Sequence, residues 1–137
     1  MHHKLNMPKR ILLVDDDPDF IEINRMILQA NGYETDEASS TGEALEKIKA
    51  NDYDLAIIDL IMEELDSGFS VAYGIRDSER TRNMPILMLT SAQEKTGFHF
   101  ELSRDQEWMK VDDFAAKPLS ATELLTRVQK LTGEKTI

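Results

Sequence analysis

Leu55-Ala56-Ile57-Ile58-Asp59-Leu60-Ile61-Met62 is an apolar run interrupted by a single acid. Continuous apolarity over a strand's length, without alternation, fits a strand covered on both faces of a parallel sheet. Three other runs share this form. Ile11-Leu12-Leu13-Val14 ends in Asp15, Asp16 and Asp17; Ile86-Leu87-Met88-Leu89 ends in Thr90-Ser91; Phe114-Ala115-Ala116 ends in Lys117-Pro118. In an open parallel sheet such strand ends lie along one edge, where these folds place their sites. The groups collected there are acids, a hydroxyl and an ammonium, the set that a divalent cation and a phosphoryl group need.

Between the apolar runs the period becomes helical. Asp17-Pro18 reads as an N-cap with proline in the first turn, followed by Ile21, Ile23, Ile27 and Leu28 on one face and an Asn31-Gly32 stop. Residues 33–38 form a weak, polar strand suited to a sheet edge. Ser40-Thr41 open a second helix through Ala44, Leu45 and Ile48. Asp66-Ser67-Gly68 reads as a turn, and Phe69, Ala72, Tyr73 and Ile75 as a third helix ending near residue 77. Residues 92–112 are the least readable; the alternation places a fourth helix there, with Phe98, Phe100 and Trp108 as packing anchors or, alternatively, lining a partner surface, and His99 as a loop residue. Ser120 and Glu123 make a capping box for the last helix, whose stripe is Leu124, Leu125, Val128 and Leu131. The repeated β-α alternation predicts an α/β fold: a doubly wound, five-stranded parallel sheet with helices on both faces.

The composition narrows the function. A length of 137 residues suits one domain, and 41% hydrophobic residues supply a core for it. No apolar run reaches the roughly 18–20 residues of a membrane helix, so no membrane insertion is expected. The chain has no cysteine, which excludes disulfides and thiolate metal sites and fits a cytoplasmic setting. A net charge of −10 argues against nucleic-acid binding through the surface as a whole. His2-His3 belong to a polar end.

With these four strand ends in this order, the chain resembles a receiver domain of a two-component response regulator, of the chemotaxis-regulator-like kind. The resemblance runs from Lys9 to about Leu131. It implies an N-terminal tail at 1–8, a receiver domain at 9–133, a C-terminal tail at 134–137, and a flavodoxin-like strand order of 2-1-3-4-5. It implies that Asp59 accepts a phosphoryl group from a sensor histidine kinase or phosphotransfer protein. It implies Mg2+ held by Asp15, Asp16, Asp59 and the backbone carbonyl of Ile61, with Lys117 and Thr90 contacting the phosphoryl group. Thr90 and Phe114 are the implied switch residues, altering a surface read by a downstream protein. Such a module is not an enzyme beyond assisting its own phosphoryl transfer.

The chain also departs from that pattern. Glu63-Glu64 follow Met62 where receivers usually carry a proline. Ile61 and Ala92 stand where side chains often orient the hydrolytic water, so a long-lived phosphoryl form is expected. A phosphorylation-independent adaptor of the same fold is the alternative; Asp16, Asp59, Thr90 and Lys117 argue against it, and the altered 61–68 loop leaves it open. An aspartyl phosphatase would need a second acid where Ile61 stands. Singly, each piece has an ordinary reading: a helix cap at Asp15–Asp17, a loop acid at Asp59, a turn at Thr90, an exposed lysine at Lys117. Those readings do not account for their order along one edge. The short sequence past the last helix leaves a stand-alone receiver and a piece of a longer regulator as the alternatives.

Overall fold

The apolar runs at 11–14, 55–58 and 86–89 form strands because both of their faces are covered, whereas the run at 114–116 lies at a sheet edge and is only partly buried. The computed structural model describes residues 8–62, 67–90 and 110–133. Its strands are β1 (Arg10–Val14), β2 (Glu34–Ala38), β3 (Leu55–Asp59), β4 (Ile86–Thr90) and β5 (Asp113–Ala116). The helices are α1 (Pro18–Ala30), α2 (Thr41–Ala50), α3 (Ser67–Asp77) and α4 (Ala121–Leu131). The five strands lie in the order β2-β1-β3-β4-β5, and all pairs are parallel. The polar strand β2 is at an edge, as its composition predicts. Residues of one strand alternate between two cores. Leu12, Val14, Ala56, Ile58, Ile86 and Met88 pack with Ala44, Ile48, Val71 and Ile75 of α2 and α3. Ile11, Leu13, Leu55, Ile57, Leu87 and Leu89 pack with Ile21 and Leu28 of α1 and Leu124 and Val128 of α4.

Local chemistry sets the helix ends. Asp17 caps α1, its carboxylate accepting from the Asp19 amide at 3.0 Å, with Pro18 at the first position. Ser40 caps α2 and Ser120 caps α4, each accepting from the amide three residues on. The buried face of α1 is Ile21, Asn24 and Leu28, and Ile23 is 57% exposed, contrary to the sequence expectation. At about 100° per residue, Ile23 lies on the far side from Ile21. Asn24 takes the inward place because its amide donates to the Phe20 carbonyl at 2.7 Å, which satisfies it in the core.

A second correction concerns Ser67-Gly68, which begin α3 and do not form a turn. Buried Ser67, Gly68, Val71, Ala72 and Ile75 face the sheet, while Tyr73 is exposed. The Gly68 amide donates to the Leu60 carbonyl at 2.8 Å, joining the helix start to the end of β3. At the opposite end of the sheet, Arg76 donates to the carbonyls of Met84, Arg82 and Lys110 and to the Asp112 carboxylate. Asp112 also accepts from the Ile86 amide at 2.8 Å, so one guanidinium ties the starts of β4 and β5 to α3. The expected fourth helix with Phe98, His99, Phe100 and Trp108 lies outside the described residues, as do Ser91, Ala92, Glu63, Glu64, Asp66 and both tails. Among the described residues, no helix is long and apolar enough to cross a membrane.

Gly68 yields a direct test. A Cβ there would stand 2.7 Å from the Asp59 carbonyl oxygen, 2.7 Å from Leu60 Cα and 2.8 Å from Met88 Sδ. Two of these neighbours are backbone and cannot rotate away. Gly68→Ala is expected to lose roughly 1–3 kcal/mol in urea unfolding, the usual cost of overpacking. Wild-type stability in that variant would refute the close approach.

Candidate functional site

The parallel register brings the ends of β1, β3, β4 and β5 to one edge. Asp15 follows β1, and its amide donates to the Ala38 carbonyl of β2 at 3.0 Å. Asp59 is the last residue of β3 and Thr90 the last of β4. Lys117 follows β5, its amide donating to the Thr90 carbonyl at 3.0 Å. The Lys117-Pro118 peptide is cis. Asp15, Asp59 and Thr90 are buried, with 2%, 6% and 4% of their surface exposed.

The three consecutive aspartates have separate duties. Asp17 is the α1 cap described above. Asp15 uses one carboxylate oxygen to accept from the Asp17 amide at 3.0 Å and the other to accept from Lys117 Nζ at 2.8 Å. Asp16 is exposed at the cleft. Carboxylate oxygens of Asp15, Asp16 and Asp59 all lie within 4.8 Å of one another. Lys117 Nζ is 3.7 Å from Asp59, so its tighter partner in this structure is Asp15. It also sits 4.3 Å from the centre of the Phe20 ring. Phe20 is the neighbour that sequence reading missed. Its position on α1 was legible, but its approach to a lysine 97 positions along the chain is purely tertiary. Ile61 is half-buried beside the site, and its backbone amide bonds the Asp59 carboxylate. Phe114 of β5 is half-buried against the core beneath α2 and α3.

The electrostatics follow from this crowding. Burial first, then the neighbouring Asp15 and to a smaller extent Asp16, push the Asp59 carboxyl up to about 7. The Lys117 ammonium and the Ile61 amide oppose the rise without cancelling it. An all-oxygen set with more negative than positive charge suits a hard divalent cation, which would relieve the repulsion that raises Asp59. The residues present therefore fit Mg2+.

The family model for the response regulator receiver domain matches residues 11–129. The chain belongs to the response regulator receiver family. Receivers are signalling domains of two-component systems. This receiver is 34% identical over 129 residues to the transcriptional regulatory protein SrrA of Staphylococcus aureus, covering 91% of the chain and 48% of SrrA. The chain thus spans about half the length of the curated relatives it matches. A putative response regulator from Chloroflexus aurantiacus superposes with a TM-score of 0.78 at 31% identity, covering 93% of this chain and 99% of that one. The Thermotoga maritima response regulator TrrA, solved in complex with Mg2+-BeF, gives a TM-score of 0.73 at 36% identity, covering 90% and 98%.

The raised Asp59 value has a consequence for stability. Below its ordinary value of 3.8 the carboxyl is neutral whether the chain is folded or not. As the pH climbs from there to about 7, the unfolded chain ionises it more readily than the fold does, so stability is lost across that window. Asp59→Asn keeps the shape and cannot ionise. In metal-free buffer the variant is expected to exceed wild type at pH 8 by on the order of 1–2 kcal/mol, allowing for water in the cleft. The gap should narrow toward pH 5. A gap that widens on acidification, measured by thermal unfolding, would contradict the assignment.

Proposed function

We propose that this receiver is a phosphoacceptor in which Asp59 takes a phosphoryl group from a phosphohistidine of a sensor histidine kinase or phosphotransfer protein. The observation that carries the reading is the Asp15–Lys117–Asp59 cluster, with Asp16 and Thr90 beside it, at the edge where ligands of such sheets bind. In the step itself an ionised Asp59 oxygen forms a bond to phosphorus. The donor's nitrogen–phosphorus bond breaks and its electron pair stays on the imidazole. Lys117, a compact cation on a flexible stem, moves its charge from the carboxylates to a phosphoryl oxygen, and the Thr90 hydroxyl donates to another.

Asp15, Asp16, Asp59 and the Ile61 carbonyl are the groups that would hold Mg2+, with Asp15, which also accepts from the Asp17 amide and Lys117, acting through water. Bound there, the cation would screen the repulsion between an anionic nucleophile and an anionic phosphoryl group. The Mg2+-BeF complex of TrrA supports this reading by likeness. Transfer of the phosphoryl group draws Thr90 inward, and Phe114 turns toward the space released. The face that includes β5 and α4 then changes for a downstream protein. The receiver domain is taken to span 9–133, between tails at 1–8 and 134–137, in a cytoplasmic protein.

Incubation with acetyl phosphate and Mg2+ tests the chemistry by intact mass. Wild type is expected to gain one phosphoryl group and Asp59→Asn none, and the gain should need Mg2+. Because Ile61 offers no polar side chain to a hydrolytic water, the added mass should persist after the donor is removed. No gain in wild type despite Mg2+ binding would count against Asp59 as acceptor for small donors and return weight to an adaptor. The switch is tested separately by NMR with Mg2+ and beryllium fluoride. The Phe114 ring resonances are expected to shift on addition, and unmoved resonances would remove Phe114 from the switch.

A further inference from the structure

We infer that Phe20 is a positioning residue for this site: the face of its ring holds the Lys117 ammonium in the cleft between Asp15 and Asp59. The inference rests on the proposed role of Lys117 as a partner of the phosphoryl group.

Among the described residues, three groups stand close to the ammonium. Asp15 Oδ2 lies at 2.8 Å, Asp59 Oδ2 at 3.7 Å and the Phe20 ring centre at 4.3 Å. The Lys117 side chain is only 17% exposed, so its ammonium is held within the site. A lysine stem has many rotamers, and two carboxylates at unequal distances do not by themselves select one. The negative face of the ring attracts the cation without offering a lone pair that would compete with a phosphoryl oxygen. Lys117 can thus change anionic partners while its position is kept, so part of its ordering is complete before the donor arrives.

Phe20 is itself held in place. It lies in the first turn of α1, behind the Asp17 cap and Pro18. Its ring packs on the core shared by α1 and α4. Its carbonyl accepts from the buried Asn24 amide at 2.7 Å. Core packing alone would be served as well by leucine. The ring face is what adds attraction for a cation, and this separates the two roles.

The experiment is the initial rate of phosphoryl gain from acetyl phosphate with Mg2+, for wild type, Phe20→Leu and Phe20→Tyr, each with and without Lys117→Ala. Phe20→Leu should lower the saturated rate about fivefold, the factor given by a cation–π contribution of about 1 kcal/mol, with half-saturating donor unchanged. Phe20→Tyr should keep the wild-type rate, and Phe20→Leu should have no further effect once Lys117 is alanine. Thermal unfolding checks that each variant folds, and Phe20→Met replaces Phe20→Leu if that variant does not. An unchanged rate in Phe20→Leu, or the same loss with and without Lys117, would overturn the proposal. Those results would leave the phosphoacceptor reading standing. A wild type that gains no phosphoryl group would remove that reading and this proposal together.

Discussion

Two buried carboxylates, Asp15 and Asp59, share the ammonium of Lys117, and the acid beside them, Asp16, adds a further negative charge. Burial makes each charge more costly and each repulsion stronger, which is why Asp59 rises to about 7. A fold aiming only at stability would replace such a cluster by apolar side chains. Keeping it makes the edge responsive, because a cation or a phosphoryl group arriving there changes the balance among three acids and one lysine. The rest of the molecule serves to hold these groups close enough to interact.

The holding is done by the sheet and its two cores. Parallel register sets Val14 beside Ile58, Asp59 beside Leu89 and Thr90 beside Ala116, so the four strand ends finish together. Alternating residues of the strands anchor in opposite cores, and neither face can slip without exposing the other. Contact around the site is close: Gly68 lies against the Asp59 carbonyl, and the amide of Ile61 reaches the Asp59 carboxylate. Movement at Asp59 therefore meets backbone at once, and meets Lys117 and through it Phe20.

The fold was largely legible because its signals are local. Runs such as Ile11–Val14 and Ile86–Leu89 are apolar on both sides, and a strand buried on both faces is the structure that satisfies them. The caps at Asp17, Ser40 and Ser120 were legible for the same reason, since a cap bonds amides two or three residues away. Legibility failed where a residue answered to something distant. Ile23 looked like core by its chemistry and is exposed, while Asn24, which the apolar pattern passes over, is buried with its amide satisfied by the Phe20 carbonyl. Gly68 looked like a turn; its lack of a side chain is instead required by the backbone of β3.

The sequence by itself determined the order of strands and helices, the polar residue at each strand end, and so the membership of the cluster at the sheet edge. Periodicity and capping are properties of neighbouring residues, and they survive in a one-dimensional reading. Only the tertiary structure decided how those residues share their charges. It assigned Asp15 to Lys117 and Asp16 to the open side of the cleft. It also set Lys117 over Phe20, and gave Asp59 the burial that raises its carboxyl. Distances of 3–4 Å between residues far apart in the chain depend on register and packing depth, and no local pattern encodes them.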